Sequence, residues 1–281
     1  MYRYLRLFRF GNSILGIVGV IVGAFIASGL GILEYWVSIV ISCSIVFVFM
    51  AGGNALNDYI DRDIDLIAHP DRPIPRGEIS PSVAKNLGVI FMILAVAIGV
   101  ISQIASWHMD FLFWDSTSTA IVIIASLLMI SYEVFLKQKG FVGNVTIAVL
   151  TGMLFLLGGA VCGNIGPVIP MAVMAVLVNI GREISKDIED KDSDEGRITL
   201  PMKIGNRNAS VIACMSFLAG VLLSALPLIN GSMNIFYSVV FAADAMFIYA
   251  AFIVFKSAHK AQKTAKLAMA FALLAFVIGV I

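Results

Sequence analysis

Nine apolar stretches of about twenty residues each leave little choice about what this chain folds into; they run at 10–29, 35–56, 82–104, 116–136, 142–162, 167–186, 208–230, 234–255 and 264–281. Crossing the ~30 Å hydrocarbon core of a bilayer takes about 20 helical residues. Only helices and closed barrels satisfy their backbone polar groups there. The ~10-residue alternating segments of a barrel are absent. The expectation is therefore an all-α integral membrane protein: a bundle of nine transmembrane helices forming a single domain over 1–281. Composition agrees, since 60% of the chain is hydrophobic and 13% charged, against about 45–50% and about 25% in a soluble domain. The basic start and apolar run over Met1–Gly16 imitate a signal peptide, but no small-x-small cleavage site follows, so a retained first helix is expected.

The connections between the stretches carry the orientation. With Arg3, Arg6 and Arg9 on the cytoplasmic side, all 19 Lys and Arg residues fall at or beside the inner face. The positive-inside rule then predicts a multi-pass cell-membrane protein with a cytoplasmic N-terminus and Ile281 outside. Near-balanced charge, 19 basic against 18 acidic, points to no nucleic-acid partner. Cys43, Cys162 and Cys214 have no metal-ligand spacing and read as packing residues.

Acidity is concentrated in two inner connections. Asn57-Asp58-Tyr59-Ile60-Asp61-Arg62-Asp63-Ile64-Asp65 follows the second stretch, and Asp187-Ile188-Glu189-Asp190-Lys191-Asp192-Ser193-Asp194 follows the sixth. Asp58, Asp61 and Asp65 stand at i, i+3 and i+7, as do Asp187, Asp190 and Asp194, which brings each trio onto one helical face. Carboxylates are disfavoured at helix C-termini by roughly 0.3–1 kcal/mol each, and they repel one another. Cations between the arms would remove both costs. Mg2+ suits the pattern, because it binds through one or two carboxylates and completes its octahedron with waters and substrate phosphates. Bridging a diphosphate, it would stabilise the charge of a leaving group. Arg72, Arg76, Lys137, Lys139, Arg182 and Lys186 lie near enough in sequence to grip phosphate oxygens. The active site is accordingly expected at the cytoplasmic face.

Asn57-Asp58-x-x-Asp61-x-x-x-Asp65 with Arg72-Pro73, and Lys186-Asp187-x-x-Asp190-x-x-x-Asp194, resemble the two aspartate-rich motifs of the UbiA superfamily of intramembrane prenyltransferases. Arg182-Glu183-Ile184-x-Lys186-Asp187 and Lys139-Gly140-x-x-Gly143-Asn144 look like the branch that builds archaeal ether lipids. Ser193 departs from the glycine that relatives often place before the last aspartate. The resemblance implies Mg2+-assisted ionisation of geranylgeranyl diphosphate to an allylic cation. Its implied acceptor is the free hydroxyl of geranylgeranylglyceryl phosphate, giving the second ether bond and free diphosphate. By transfer, Asp58, Asp61, Asp65, Asp187, Asp190 and Asp194 are the expected metal ligands, with Asp58, Asp61, Asp187 and Asp190 the catalytic core. Asn57 would orient the first arm. Arg72, Lys137 and Lys186 would contact phosphate, and Arg9 and Asn12 would reach the cavity from the first helix.

Physical chemistry adds residues to that set. A C20 isoprenoid enters laterally from lipid, and its cation needs shelter from water and an electron-rich wall. Tyr59, Tyr132 and Phe135 stand near inner helix ends. Asn179, one turn before Arg182, shares the helix of the second arm and is expected to face the site. Glu133 is expected to pair with Lys137 at i+4. Asp244, mid-span, either lines a cavity or bonds a neighbouring helix, and Gly52-Gly53 and Gly158-Gly159 mark close helix packing. An aromatic acceptor, as in quinone, chlorophyll or haem-tail synthesis, would use the same ionisation machinery. A cation-coupled transporter would instead place its binding groups near the midplane. Oligomeric state is not legible.

Overall fold

Local capping chemistry marks where some of the helices start. The structure, a computed structural model, describes residues 2–191 and 198–281, and among them every regular element is helical. Asp194 lies outside the described residues. The α-helices are α1 (Tyr2–Leu7), α2 (Phe10–Ser28), α3 (Trp36–Ile60), α4 (Arg62–Ala68), α5 (Pro81–Ser106), α6 (Ser116–Ser131) and α7 (Phe141–Ala160). They continue as α8 (Ile169–Asp190), α9 (Leu200–Ile204), α10 (Asn206–Ser224), α11 (Leu226–Ile229), α12 (Val240–Ile253) and α13 (Ala258–Val280). Ser80 caps α5 by accepting from Val83 N (3.4 Å), with Pro81 in the first turn. Asp115 caps α6 through Ser118 N at 2.8 Å. Each cap satisfies an orphan amide of the first turn.

Among the described residues, eight helical runs are long and apolar enough to cross a membrane. The expected first and second stretches form one 51-residue run, Phe10–Ile60, because Gly29–Tyr35 continues as a 3₁₀ helix instead of a loop. At ~1.5 Å per residue such a run would be roughly 76 Å if straight. It is not straight: Arg9 bonds Asn57, Asn54 bonds the Phe8 carbonyl, and Gly16 abuts Val46 and Met50, so α2 and α3 lie antiparallel. At the other end of the chain, α13 begins six residues before the expected stretch. Ala258, Ala261, Ala265 and Ala268 are buried on one face while Lys260, Lys263 and Lys266 stay exposed, so the charged turn is amphipathic rather than a loop.

α7 lies between two packed halves. α2, α3, α5 and α6 share one apolar core with α7, including Val20, Ile45, Ala95, Val122 and Leu157. α8, α10, α12 and α13 share another, centred on Ile184, Phe217, Phe247 and Ala250. α13 also touches α2. Where α2 crosses α7, Gly23 faces Gly158. A Cβ on Gly158 would strike the Val20 carbonyl and come within 2.6 Å of the Ala24 amide nitrogen. The backbones thus approach as small-residue interfaces in lipid do. A small inner core of Leu7, Ala55, Ile74, Ile79 and Ala84 straps the 69–80 connection beneath α1.

Candidate active site

The first acidic arm is not one helix, yet its register survives. α3 ends at Ile60 and α4 begins at Arg62, but Asp61 N bonds Asn57 O (2.9 Å) and Asp65 N bonds Asp61 O (2.8 Å). The i→i−4 pattern therefore runs through the break. Asp58 and Asp65, both buried, consequently reach the same guanidinium. Arg72 Nη1 lies 2.6 Å from Asp65 Oδ2 and 3.5 Å from Asp58 Oδ1. Arg9 Nη2 meets Asp58 Oδ1 at 2.7 Å and donates to Asn57 Oδ1 at 2.9 Å. Arg9 holds a left-handed backbone (φ 46°) at the joint between α1 and α2. This conformation is strained for a residue with a side chain. Burial pushes the Asp65 carboxyl above the usual range, against the pull of Arg72. Burial, then the charge of Arg72, pushes the His69 imidazole below its ordinary value.

Lys137 links this arm to the rest. A π-helical turn, Tyr132–Leu136, and a 3₁₀ turn, Lys137–Lys139, extend the inner end of α6. π turns inside helices recur at functional sites. Lys137 pairs with Asp61 and stands 3.6 Å from Glu133 Oε2, the expected i+4 partner. The buried Glu133 also accepts from Asn57 Nδ2 at 3.2 Å.

A polar recess with about 380 Å³ of empty space opens beside Lys137. Tyr132 and Lys137 line it from the end of α6, and Asn144 lines it from α7. Glu183, Lys186 and Asp187 come from α8, and Thr199 from the turn before α9. Asn144 Nδ2 donates to Asp187 Oδ2 at 2.9 Å. One side chain thus pairs with Asp61 of the first arm and shares a wall with Asp187 of the second. An apolar chamber with about 540 Å³ of empty space lies deeper between α7, α8, α10, α12 and α13. The two cavities share α7 and α8 as walls, through Asn144 and Phe155 on α7 and through Lys186 and Ala175 on α8. Each pair is three helical turns apart on one face, ~16 Å. Asp244 lines this chamber and also accepts from Ser224 on α10 at 2.7 Å, so both readings of Asp244 hold.

Other expected residues fall elsewhere. Asn179 is buried and donates to Thr151 Oγ1 (3.0 Å), while Arg182 donates to Asn179 and pairs with Glu183. This chain lies behind the recess wall and reaches it only through Glu183. Asn12 is exposed and makes no side-chain hydrogen bond among the described residues. Arg76 binds Glu78 at 3.0 Å, away from the arms. Asp190, half-buried, ends α8 one turn past Asp187. Arg9 outweighs its neighbour Asn12 because the α2–α3 hairpin delivers it to Asp58 across 49 positions of sequence. No spacing rule shows that. Thr199 had no sequence signal.

Carboxylate oxygens are the hard donors that Mg2+ takes. Among the described residues no three acidic, histidine or cysteine groups form a ready cage. That fits a cation bound through one or two carboxylates together with a phosphorylated substrate. Asp61, Asp65, Asp187 and Asp190 carry such oxygens at the inner ends of α3, α4 and α8.

Comparison with known proteins gives a consistent result. The sequence profile of the UbiA prenyltransferase family matches residues 16–277. A digeranylgeranylglyceryl phosphate synthase of Thermococcus kodakarensis is 35% identical over 284 residues, covering 98% of this chain and 97% of that relative. A solved digeranylgeranylglyceryl phosphate synthase structure superposes with TM-score 0.79 at 32% identity, covering 99% of this chain and 98% of the other. A UbiA homologue from Archaeoglobus fulgidus, solved with DMAPP and Mg2+, shares the fold at TM-score 0.71 and 17% identity, over 98% and 99% of the two chains.

Proposed function

This chain belongs to the UbiA prenyltransferase family, and from that premise we propose that it completes the hydrocarbon part of an archaeal ether lipid. It transfers a geranylgeranyl group from geranylgeranyl diphosphate to the free hydroxyl of geranylgeranylglyceryl phosphate and releases diphosphate. The observation that carries this reading is Lys137, which joins the first acidic arm to the recess bordered by the second; α7 and α8, which wall that recess, also wall a deeper apolar chamber. An amphiphile with a charged head and a long tail matches that polarity gradient.

Bound Mg2+, held by Asp61, Asp65, Asp187 and Asp190, would stabilise negative charge on the departing diphosphate. Asp58 and Asp65 are both tied to Arg72, and Asp58 also to Arg9, so these two carboxylates also hold the guanidinium groups in place. Arg72, Lys137 and Lys186 contact phosphate oxygens. Asn57 keeps Glu133 and Arg9 in register. The Tyr132 ring faces developing positive charge, a contact of roughly 0.5–2 kcal/mol. The apolar chamber excludes water from the cation. We further infer a single domain of nine passes, in which Gly29–Tyr35 turns the chain at the outer surface. The N-terminus and site then lie in the cytoplasm and Ile281 outside. The antiparallel α2–α3 pairing supports that count, and the one-sided placement of Lys and Arg supports that orientation.

The test is direct. Purified protein in nanodiscs with Mg2+ and labelled geranylgeranyl diphosphate should alkylate geranylgeranylglyceryl phosphate and leave 4-hydroxybenzoate untouched. Product from the aromatic acid alone refutes the acceptor, and no diphosphate release with either acceptor refutes the enzyme class.

A further inference from the structure

Thr199 is 3% exposed; its hydroxyl oxygen faces the Met202 amide in a capping box at the start of α9, while its hydroxyl hydrogen has no acceptor among the described residues. Buried polar hydrogens are almost always paired, so this one calls for an acceptor that arrives. Two features fix where this hydroxyl sits. It belongs to the wall of the polar recess, with Lys137, Asn144 and Lys186. Its backbone is also clamped: Gly140, at φ 63°, crosses so closely that a Cβ there would come within 3.2 Å of Ile198 O and of Leu200 N. The 137–140 connection thus presses on the turn that presents Thr199.

The neighbouring groups say what the partner is. Lys186 makes no ion pair among the described residues. The exposed Lys186 ammonium and the Thr199 hydroxyl hydrogen are two donors on one recess wall, an arrangement that suits an acceptor-rich anion. We propose that Thr199 is a substrate-contact residue, donating its hydroxyl hydrogen to a phosphoryl oxygen of the bound substrate. The inference rests on the prenyl-transfer reading for its substrate class. The phosphoryl group belongs either to the prenyl diphosphate or to the lipid acceptor's phosphate, and the measurement separates them.

Thr199→Val keeps the shape and removes the hydroxyl, and Thr199→Ser keeps the hydroxyl. The valine variant should raise the apparent KM for one of the two substrates about tenfold, with the serine variant near wild type. The substrate affected names the phosphate's source. Independently of turnover, Mg2+ with inorganic pyrophosphate, or with glycerol phosphate, should raise the melting temperature of wild type and serine variant more than that of the valine variant. Without ligand, the valine variant loses the Thr199 cap of α9 and should melt somewhat lower than wild type, so protection is read as the ligand-induced shift within each protein. Unchanged KM values and equal protection in all three proteins overturn the proposal. If wild type fails to transfer prenyl groups but loses anion protection in the valine variant, the functional reading falls while the Thr199 contact stands.

Discussion

Lys137 answers two carboxylates at once, Asp61 and Glu133, from a side chain only 11% exposed. Removing one member of such a set strands charge away from water, which costs about 3–5 kcal/mol when burial is complete and less here. Lys137→Met should therefore lower the melting temperature as well as weaken diphosphate binding. Adding Asp61→Asn should recover much of the stability without recovering turnover. Equal melting of all three proteins would show that the network is not coupled. Asp61→Ala or Asp190→Ala should abolish prenyl transfer in protein that still folds, checked by product formation beside a melting curve. At this scale the sequence was legible where function repeats along one helix. Asp58, Asp61 and Asp65 announced themselves by spacing, and Asp58 and Asp65 do converge on Arg72. Arg9, Asn144 and Thr199 reach the site through contacts between segments far apart in the chain. Periodicity does not report such contacts. Asn179 illustrates the converse: it shares the helix of the second arm but turns toward Thr151.

Helices here are joined by small residues as much as by apolar ones. Gly158 against Val20 and Ala24 admits no side chain, and the obstruction is backbone, which cannot rotate aside. Gly158→Ala should push α2 from α7 and destabilise by about 1–3 kcal/mol. Gly31→Ala, with nothing within 4 Å, should be near neutral. Thermal unfolding in detergent compares the two, and a Gly158 variant as stable as the Gly31 variant would contradict the packing. Stretch boundaries were readable to within a few residues because the bilayer imposes length. The two departures have local causes. Gly29–Tyr35 keeps helical hydrogen bonding through a tight reversal, and the alanine face of α13 draws its lysine-bearing first turns into register. The π turn at Tyr132–Leu136 has no compositional mark, since Tyr-Glu-Val-Phe-Leu would read equally well as plain helix.

For the molecule as a whole, orientation can be checked with single cysteines in a background lacking Cys43, Cys162 and Cys214. Ser232→Cys should react with an impermeant maleimide from outside the cell, and Gln138→Cys only in inverted vesicles, both sites being exposed. The reverse labelling would invert the topology. Chelation offers a second measurement. Asp58, Asp61 and Asp65 are already answered by Arg9, Arg72 and Lys137. Stripping divalent ions with EDTA should silence catalysis while leaving the melting temperature nearly unchanged, and restored Mg2+ should return the activity. A protein that unfolded on chelation would have a structural metal instead. The ready-made partners of the first arm have one more consequence. An anionic lipid drifting along the leaflet meets little bare negative field from those aspartates, so an empty enzyme need not repel the molecules it is waiting for.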